Sequence, residues 1–236
     1  MIILTSSAFF QAYNNSDIFG KLIFWGLLIL SIISWILMVY KVKIINRSKR
    51  ESSIFEKIFD EKKEKFLLFN TDDISKTLNP YFVIYSSLKE KTLKILNKNR
   101  FFAEEKDSVY LSSEDITLIE SSMDAKIAMQ EKFLFKNLFV LSTIITLAPF
   151  LGLLGTVWGI LITFSNLQDT NINNEVLNGI SMALATTVFG LMVAIPAVIA
   201  YNYLKNKIRE FIKEMFCFSN LLITNLEIQY RKVEKK

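Results

Sequence analysis

The sequence predicts an all-α membrane protein with three transmembrane helices and long cytoplasmic helical extensions. First, the 236-residue chain is 51% hydrophobic and only 22% charged, which is more apolar than a soluble domain of this size needs. Second, residues 22–40, 137–168 and 176–204 contain no charged residue, and each stretch approaches or exceeds the roughly 20 residues that cross a bilayer. Third, residues 41–151 contain no glycine and repeat apolar residues at helical spacing.

The first span could be mistaken for a secretory signal. It begins well into the chain, however, and is longer than the apolar core of a typical signal. Basic residues follow it without a small-residue cleavage site, so we expect it to be retained as a membrane helix.

Charge sets the predicted orientation. The segment "KVKIINRSKR" follows the first span, and lysines precede the second span and follow the third, whereas the loop between those two carries only acidic charge. The positive-inside rule then predicts a multi-pass protein of the bacterial inner membrane with a periplasmic N-terminus and a cytoplasmic C-terminus. The predicted segments are an outer N-terminus at 1–20, spans at 21–40, 137–165 and 179–204, a cytoplasmic helical domain at 41–136, a periplasmic loop at 166–178 and a cytoplasmic amphipathic helix at 205–236.

Two capping signals mark helices in the cytoplasmic part. Asn79 with Pro80 predicts an N-cap and a first helical residue, and Ser112 with Asp115 predicts a capping box. No strong stop separates that box from Pro149, which predicts one continuous helix running into the second span. The tail predicts an amphipathic helix packed on it, with an apolar face of Ile208, Phe211, Met215, Phe218, Leu222 and Leu226.

Composition excludes several function classes. The chain has no histidine, which excludes His-dependent triads and His-ligated metals, and the single Cys217 cannot form an internal disulfide or a cysteine cluster. We find no nucleophile motif, phosphate loop or metal spacing, so an enzyme is the weakest hypothesis and no cofactor or metal is predicted. The basic residues flank spans, so the net charge of +5 indicates membrane orientation and not nucleic-acid binding.

Small residues form a stripe on each of the last two spans. Two interpretations stand: a packing seam, since small residues let membrane helices approach closely, or a wall around a central space with threonine hydroxyls as its polar groups. No ionisable residue lies inside any span, so a conducted proton would need a titrating group from another chain. The stripes are Pro149, Gly152, Thr156, Gly159 and Thr163 in one span, and Gly179, Ala183, Thr187, Gly190, Ala194 and Ala197 in the other.

These stripes carry a resemblance to a known family. "APFLGLLGTVWGI" followed by "GISMALATTVFGLMVAIPAVIAYN" resembles the two pore-lining helices of the TolQ/ExbB proton-channel family, which is more distantly related to MotA. The close match covers about residues 148–202, and "SIISWILMVYKVKIIN" looks like the first span of TolQ. The predicted three spans with an outer N-terminus agree with TolQ and ExbB, and TolQ is the closer match.

The resemblance implies a homopentameric ring around the single membrane helices of a TolR/ExbD-like partner, whose membrane aspartate carries the proton. It also implies a TolA/TonB-like transducer. Its functional threonines would be Thr156 and Thr187, with Thr163 and Thr186 also lining the proton path. Where the family usually has a glutamate, this chain has Met182. Residues implied for pore packing and helix adjustment are Pro149, Gly152, Gly155, Gly159, Gly179, Ala183, Gly190 and Pro196.

Three functional hypotheses follow. The first is a TolQ-like subunit that uses the proton-motive force to energise outer-membrane integrity and constriction at division. The second is an ExbB-like energiser of active outer-membrane transport. The third is a non-conducting membrane scaffold, which the missing glutamate at Met182 favours.

Overall fold

The structure, a computed structural model, describes residues 9–61, 67, 79–102, 110–166 and 172–230. Within these ranges the chain is almost entirely helical, and the described residues contain no β-strand beyond one isolated backbone bridge at Leu111. The all-α prediction is therefore confirmed. The long helices are α1 (Ile18–Glu61), α2 (Pro80–Phe102), α3 (Ser113–Phe135), α4 (Leu138–Asn166) and α5 (Ile172–Tyr230).

Among the described residues, three helical stretches are long and apolar enough to cross a membrane. They are Ile18–Glu61, Ser113–Ser165 and Val176–Tyr230. Each contains all or most of one of the uncharged runs read from the sequence, so the prediction of three transmembrane helices is confirmed.

The chain divides into two compact units. The first comprises Met1–Lys41 and Asn137–Leu204, and the second comprises Val42–Lys136 and Lys205–Lys236. Helices α1 and α5 each contribute residues to both units, whereas α4 belongs to the first unit and α2 and α3 belong to the second.

In the first unit several small side chains are buried and many large apolar side chains are exposed. Ala148, Ala183 and Ala197 are buried, while Phe150 and Ile199 are about two-thirds exposed at 67% and 65%. Such an exterior suits lipid or neighbouring membrane helices, because apolar side chains gain little by leaving acyl chains for one another.

An aromatic core organises the second unit. The ring of Tyr81 in α2 stacks on Phe218 in α5 at 4.2 Å between centroids, and Phe55 and Phe59 of α1 contact the same Phe218 ring edge-on. The predicted apolar face of the tail is buried at all six positions. We expected this face to pack on the helix preceding the second span, which stays a prediction; the ring contacts of this face are with α1 and α2.

Both predicted capping signals are present. The Phe82 N–H donates to Asn79 Oδ1 at 3.1 Å, which caps α2 in front of Pro80. The Ser112 hydroxyl accepts from the Asp115 N–H, and the Asp115 carboxylate accepts from the Ser112 N–H, which completes the capping box of α3. These two helix starts were therefore predicted correctly from local sequence.

The prediction of one uninterrupted helix into the second span is wrong. Helix α3 ends at Phe135 and α4 begins at Leu138, because Asn137 adopts a left-handed conformation with φ of 66°. Asparagine is among the few residues that enter this region readily. The Lys136 N–H donates back to Lys132 and Phe133, which closes the final turn of α3.

Candidate functional site

Glycines bring α4 and α5 into backbone contact along what we call the α4–α5 seam. A Cβ added at Gly159 would lie 2.7 Å from the Gly179 carbonyl oxygen, and one added at Gly190 would lie 2.6 Å from the Ala148 carbonyl oxygen. Real side chains essentially never approach backbone so closely. The small-residue stripes on the two spans therefore face each other within one chain, as expected when packing drives helix association in lipid.

Two of the four predicted proton-path threonines are enclosed in this seam. Thr163 is 6% exposed and donates to its own Gly159 carbonyl at 2.8 Å, while its hydroxyl lies against Gly179. Thr186 is 0% exposed, donates to the Ala183 carbonyl at 2.9 Å and packs against Gly155. Each hydroxyl satisfies itself one turn back, which is common for threonine in membrane helices.

The other two threonines form a hydroxyl pair across the seam. Thr156 Oγ1 of α4 and Thr187 Oγ1 of α5 hydrogen-bond to each other, and both are only partly buried. Each hydroxyl is also within 3.3 Å or less of the carbonyl oxygens of Gly152 and Ala183. The pair thus has more hydrogen-bond acceptors within reach than it has hydroxyl protons. Each hydroxyl can therefore change its acceptor, and the pair can still accept a hydrogen bond from another group.

Met182 lies at a different contact. Its side chain is 2% exposed and reaches α1, where its sulfur lies 2.8 Å from the Cβ position that Gly20 leaves vacant. Gly20 thus provides the space for the long methionine side chain. The position where the family usually has a glutamate therefore faces α1 through an apolar thioether.

Asp17 is a site residue that was not predicted from the sequence. Its carboxylate accepts from the Gly20 N–H at 2.9 Å, which caps the start of α1, and from the indole N–H of Trp158 in α4 at 2.9 Å. The rings of Phe19 and Trp158 also approach within 4.4 Å between centroids. An aspartate directly before an apolar run is an N-cap signal that could have revealed the first role, since α1 starts at Ile18 and not at residue 21.

Two prolines interrupt the hydrogen-bond ladders of the membrane helices. Pro149 lies inside α4 and Pro196 lies inside α5. Proline lacks an N–H, so each leaves the carbonyl one turn earlier without its usual helical partner. Their implied role in helix adjustment stays a prediction. In the described part of the chain, no group of three or more His, Cys, Asp or Glu side chains could hold a metal ion.

The fold and this site define a class. In the described residues, three helical stretches could cross a membrane, and a glycine seam between two of them presents a polar hydroxyl pair, which describes a multi-pass helical membrane protein. Residues 87–216, more than half of the chain, match the model of the MotA/TolQ/ExbB proton channel family. The chain belongs to this family, which is a transport and energising channel family and not an enzyme family.

Some of the similar proteins are named ExbB and others are named TolQ. A biopolymer transport protein ExbB of Aquifex aeolicus is 47% identical over 85 residues, which are 35% of this chain and 57% of that protein. An ExbB of Pseudomonas putida is 31% identical over 194 residues, 80% of this chain and 54% of that protein. A Tol-Pal system protein TolQ of Haemophilus influenzae is 27% identical over 210 residues, 85% of each chain. The chain thus spans somewhat over half the length of these two ExbB relatives.

Proposed function

We propose that this protein is a TolQ-like inner-membrane subunit of a channel or motor driven by the proton-motive force. In this role it energises cell-envelope processes, namely outer-membrane integrity and constriction at division. The observation that carries the proposal is the partly exposed pair of Thr156 and Thr187, which supplies hydroxyls at the junction of two membrane helices.

The proton carrier comes from a second protein in this proposal. Threonine hydroxyls do not titrate in the physiological range, and the uncharged runs 22–40, 137–168 and 176–204 supply no carboxylate. A homopentameric ring of this subunit therefore encloses a TolR/ExbD-like single-span partner with an aspartate at membrane depth. That aspartate accepts hydrogen bonds from the hydroxyl pair when ionised, and a TolA/TonB-like transducer receives the motion.

The energy scale supports a mechanical output. One charge crossing the membrane potential yields about 2.3 kcal/mol per 100 mV. A hydrogen bond to a charged group contributes about 1.5–3 kcal/mol, so one hydroxyl stabilises the carboxylate by an amount comparable with this driving energy.

Lysine and arginine distribution supports the proposed topology. Basic residues cluster in 41–50 and 205–213, and the stretch 166–178 has none. We therefore place the N-terminus in the periplasm and the C-terminus in the cytoplasm.

The test replaces the hydroxyls without changing side-chain volume. Thr156→Val and Thr187→Val should each reduce proton flux by about tenfold or more in liposomes holding the intact complex, the factor expected for losing a hydrogen bond to a charged group. Thr143→Val is the matched control, because that hydroxyl is exposed and bonds only to the Phe139 carbonyl of its own helix. Full flux in both test variants would defeat the assigned threonine roles.

An ExbB-like energiser of active outer-membrane transport is the second candidate. The relative at 47% identity over 85 residues is named ExbB, which favours it. Deleting the gene separates the two roles: lost uptake through outer-membrane receptors indicates the ExbB-like role, and a leaky envelope with delayed constriction indicates the TolQ-like role.

A non-conducting scaffold is the third candidate, and the methionine at position 182 favours it. A verified intact complex that passes no protons under an imposed potential, in wild type as in Thr187→Val, would support the scaffold.

A further inference from the structure

The first unit contains an apolar groove lined by α1, α5 and residues 9–13, which we call the α1–α5 groove. It has a volume of about 520 Å³ and is open on one side. Tyr13, Trp25 and Leu28 line one wall and Phe189 and Met192 line the other. This volume lies within the range of small-molecule sites, and such sites are mostly apolar with few polar groups.

The polar atoms at the groove are already paired with each other. The Trp25 indole N–H donates to the Tyr13 hydroxyl at 3.2 Å, which leaves the aromatic rings to form the wall. The groove therefore offers apolar contact to an occupant. Trp25 and Met192 remain 55% and 57% exposed, so the groove is accessible from the membrane.

A cationic group lies beside the groove. Lys21 Nζ is 5.9 Å from the centroid of the Tyr13 ring, and Tyr13 lines the groove. The nearby Asp17 carboxylate is engaged by two N–H donors, from Gly20 and Trp158. Lys21 and Leu28 are seven residues apart on α1, which separates their backbone positions by about 10 Å along the helix.

We propose that the α1–α5 groove binds a glycerophospholipid, with one acyl chain between Trp25 and Met192 and the phosphate at Lys21. A cation beside an apolar groove matches the phosphate and the hydrocarbon chain of a lipid. Aromatic and lysine side chains at helix ends are typical partners of lipid headgroups. The inference needs only a membrane protein, and it does not depend on the proposed function.

The test compares the fluorescence of a tryptophan that lines the groove with that of a tryptophan outside it. Trp25 lines the groove, while Trp35 lies on the same helix outside it and is equally exposed at 55%. Two variants each retain a single tryptophan. Trp35→Phe with Trp158→Phe retains Trp25, and Trp25→Phe with Trp158→Phe retains Trp35. Each is purified in dodecyl maltoside and titrated with dibrominated phosphatidylglycerol, whose bromines quench nearby indole fluorescence.

Site binding predicts that Trp25 is quenched at a several-fold lower lipid concentration than Trp35. Lys21→Gln should abolish this difference, whereas Lys57→Gln, an exposed lysine further along α1, should preserve it. Native mass spectrometry of the wild type should show retained phospholipid that Lys21→Gln loses. This measurement does not use the tryptophan variants, so it tests the proposal even if they do not fold.

Two results would overturn the proposal. Parallel quenching of Trp25 and Trp35 would mean that lipid covers the groove only as it covers the rest of the span. If brominated lipid quenches the fluorescence of Trp35 but never that of Trp25, a second protein chain fills the groove.

Discussion

Four threonines on α4 and α5 share one side-chain chemistry but lie in two environments. Thr163 and Thr186 are buried against glycines of the opposite helix, and their hydroxyls bond to their own backbone. Thr156 and Thr187 bond to each other and remain partly exposed. Only the second pair offers oxygen atoms to a neighbouring chain, so the proposed proton path rests on these two residues.

Asp17 and Trp158 form a residue-scale link that a double-mutant cycle can measure. A hydrogen bond from the indole N–H to a carboxylate contributes about 1.5–3 kcal/mol. Asp17→Ala and Trp158→Phe should therefore each lower the thermal unfolding temperature, and the double variant should lose less than the sum. Asp60→Ala combined with Trp158→Phe is the control and should be additive. Additivity for the Asp17 pair would contradict the link.

Glu56 makes the stability of the second unit depend on pH. Partial burial, together with the nearby carboxylates of Asp60 and Glu214, raises its pKa above the ordinary value of 4.5. The folded state then binds more protons than the unfolded state just above pH 4.5, so the free energy of unfolding falls as pH rises through that window.

Replacing Glu56 tests this sign. Glu56→Gln should raise the unfolding temperature at pH 7 and have a smaller effect at pH 4, with a gain on the order of 0.5 kcal/mol for a partly exposed side chain. Thermal unfolding in detergent between pH 4 and 8 measures it. Glu90→Gln is the control with the opposite sign, because the hydrogen bond from Lys94 lowers the pKa of Glu90. A destabilised Glu56→Gln at pH 7 would show that ionised Glu56 helps the fold.

At the scale of elements, glycines on different helices have different roles. A Cβ at Gly190 would meet the Ala148 backbone at 2.6 Å, whereas a Cβ at Gly26 of α1 meets nothing within 4 Å. The first glycine is required by a close helix contact. The second is not required by any contact among the residues that the structure describes.

Two alanine substitutions separate these roles. Gly190→Ala should push α4 and α5 apart and lower stability by about 1–3 kcal/mol, the usual cost of overpacking. Gly26→Ala should be neutral or stabilising by up to about 1 kcal/mol, because alanine is the better helix former. Unfolding temperatures of the two variants in the same detergent provide the comparison. Equal tolerance would refute the close α4–α5 seam.

The junction between α3 and α4 shows how little sequence is needed to end a helix. Neither glycine nor proline marks residues 136–137, and the apolar pattern continues across them. Asn137 alone takes the left-handed conformation. Because asparagine also occurs inside helices, its presence did not identify the break.

At the scale of the whole molecule, helices α1 and α5 each belong to both compact units. Helix α1 belongs to the first unit up to Lys41 and to the second unit from Val42, and α5 changes unit between Leu204 and Lys205. In our proposal the first unit carries the hydroxyl pair and the second unit lies in the cytoplasm. Continuous helices then give the first and third membrane spans a direct covalent extension into the cytoplasmic unit.

The sequence by itself determined the helical class, the three spans, the caps at Asn79 and Ser112 and the family. These features depend on neighbouring residues, through hydropathy, capping and motif spacing, so they can be read locally. Tertiary structure decided which hydroxyls meet, where Met182 points and what Asp17 holds. The Thr156–Thr187 bond joins residues 31 apart and the Trp158–Asp17 bond joins residues 141 apart. Such contacts depend on the rotation of each helix about its axis, which packing against the other helices fixes.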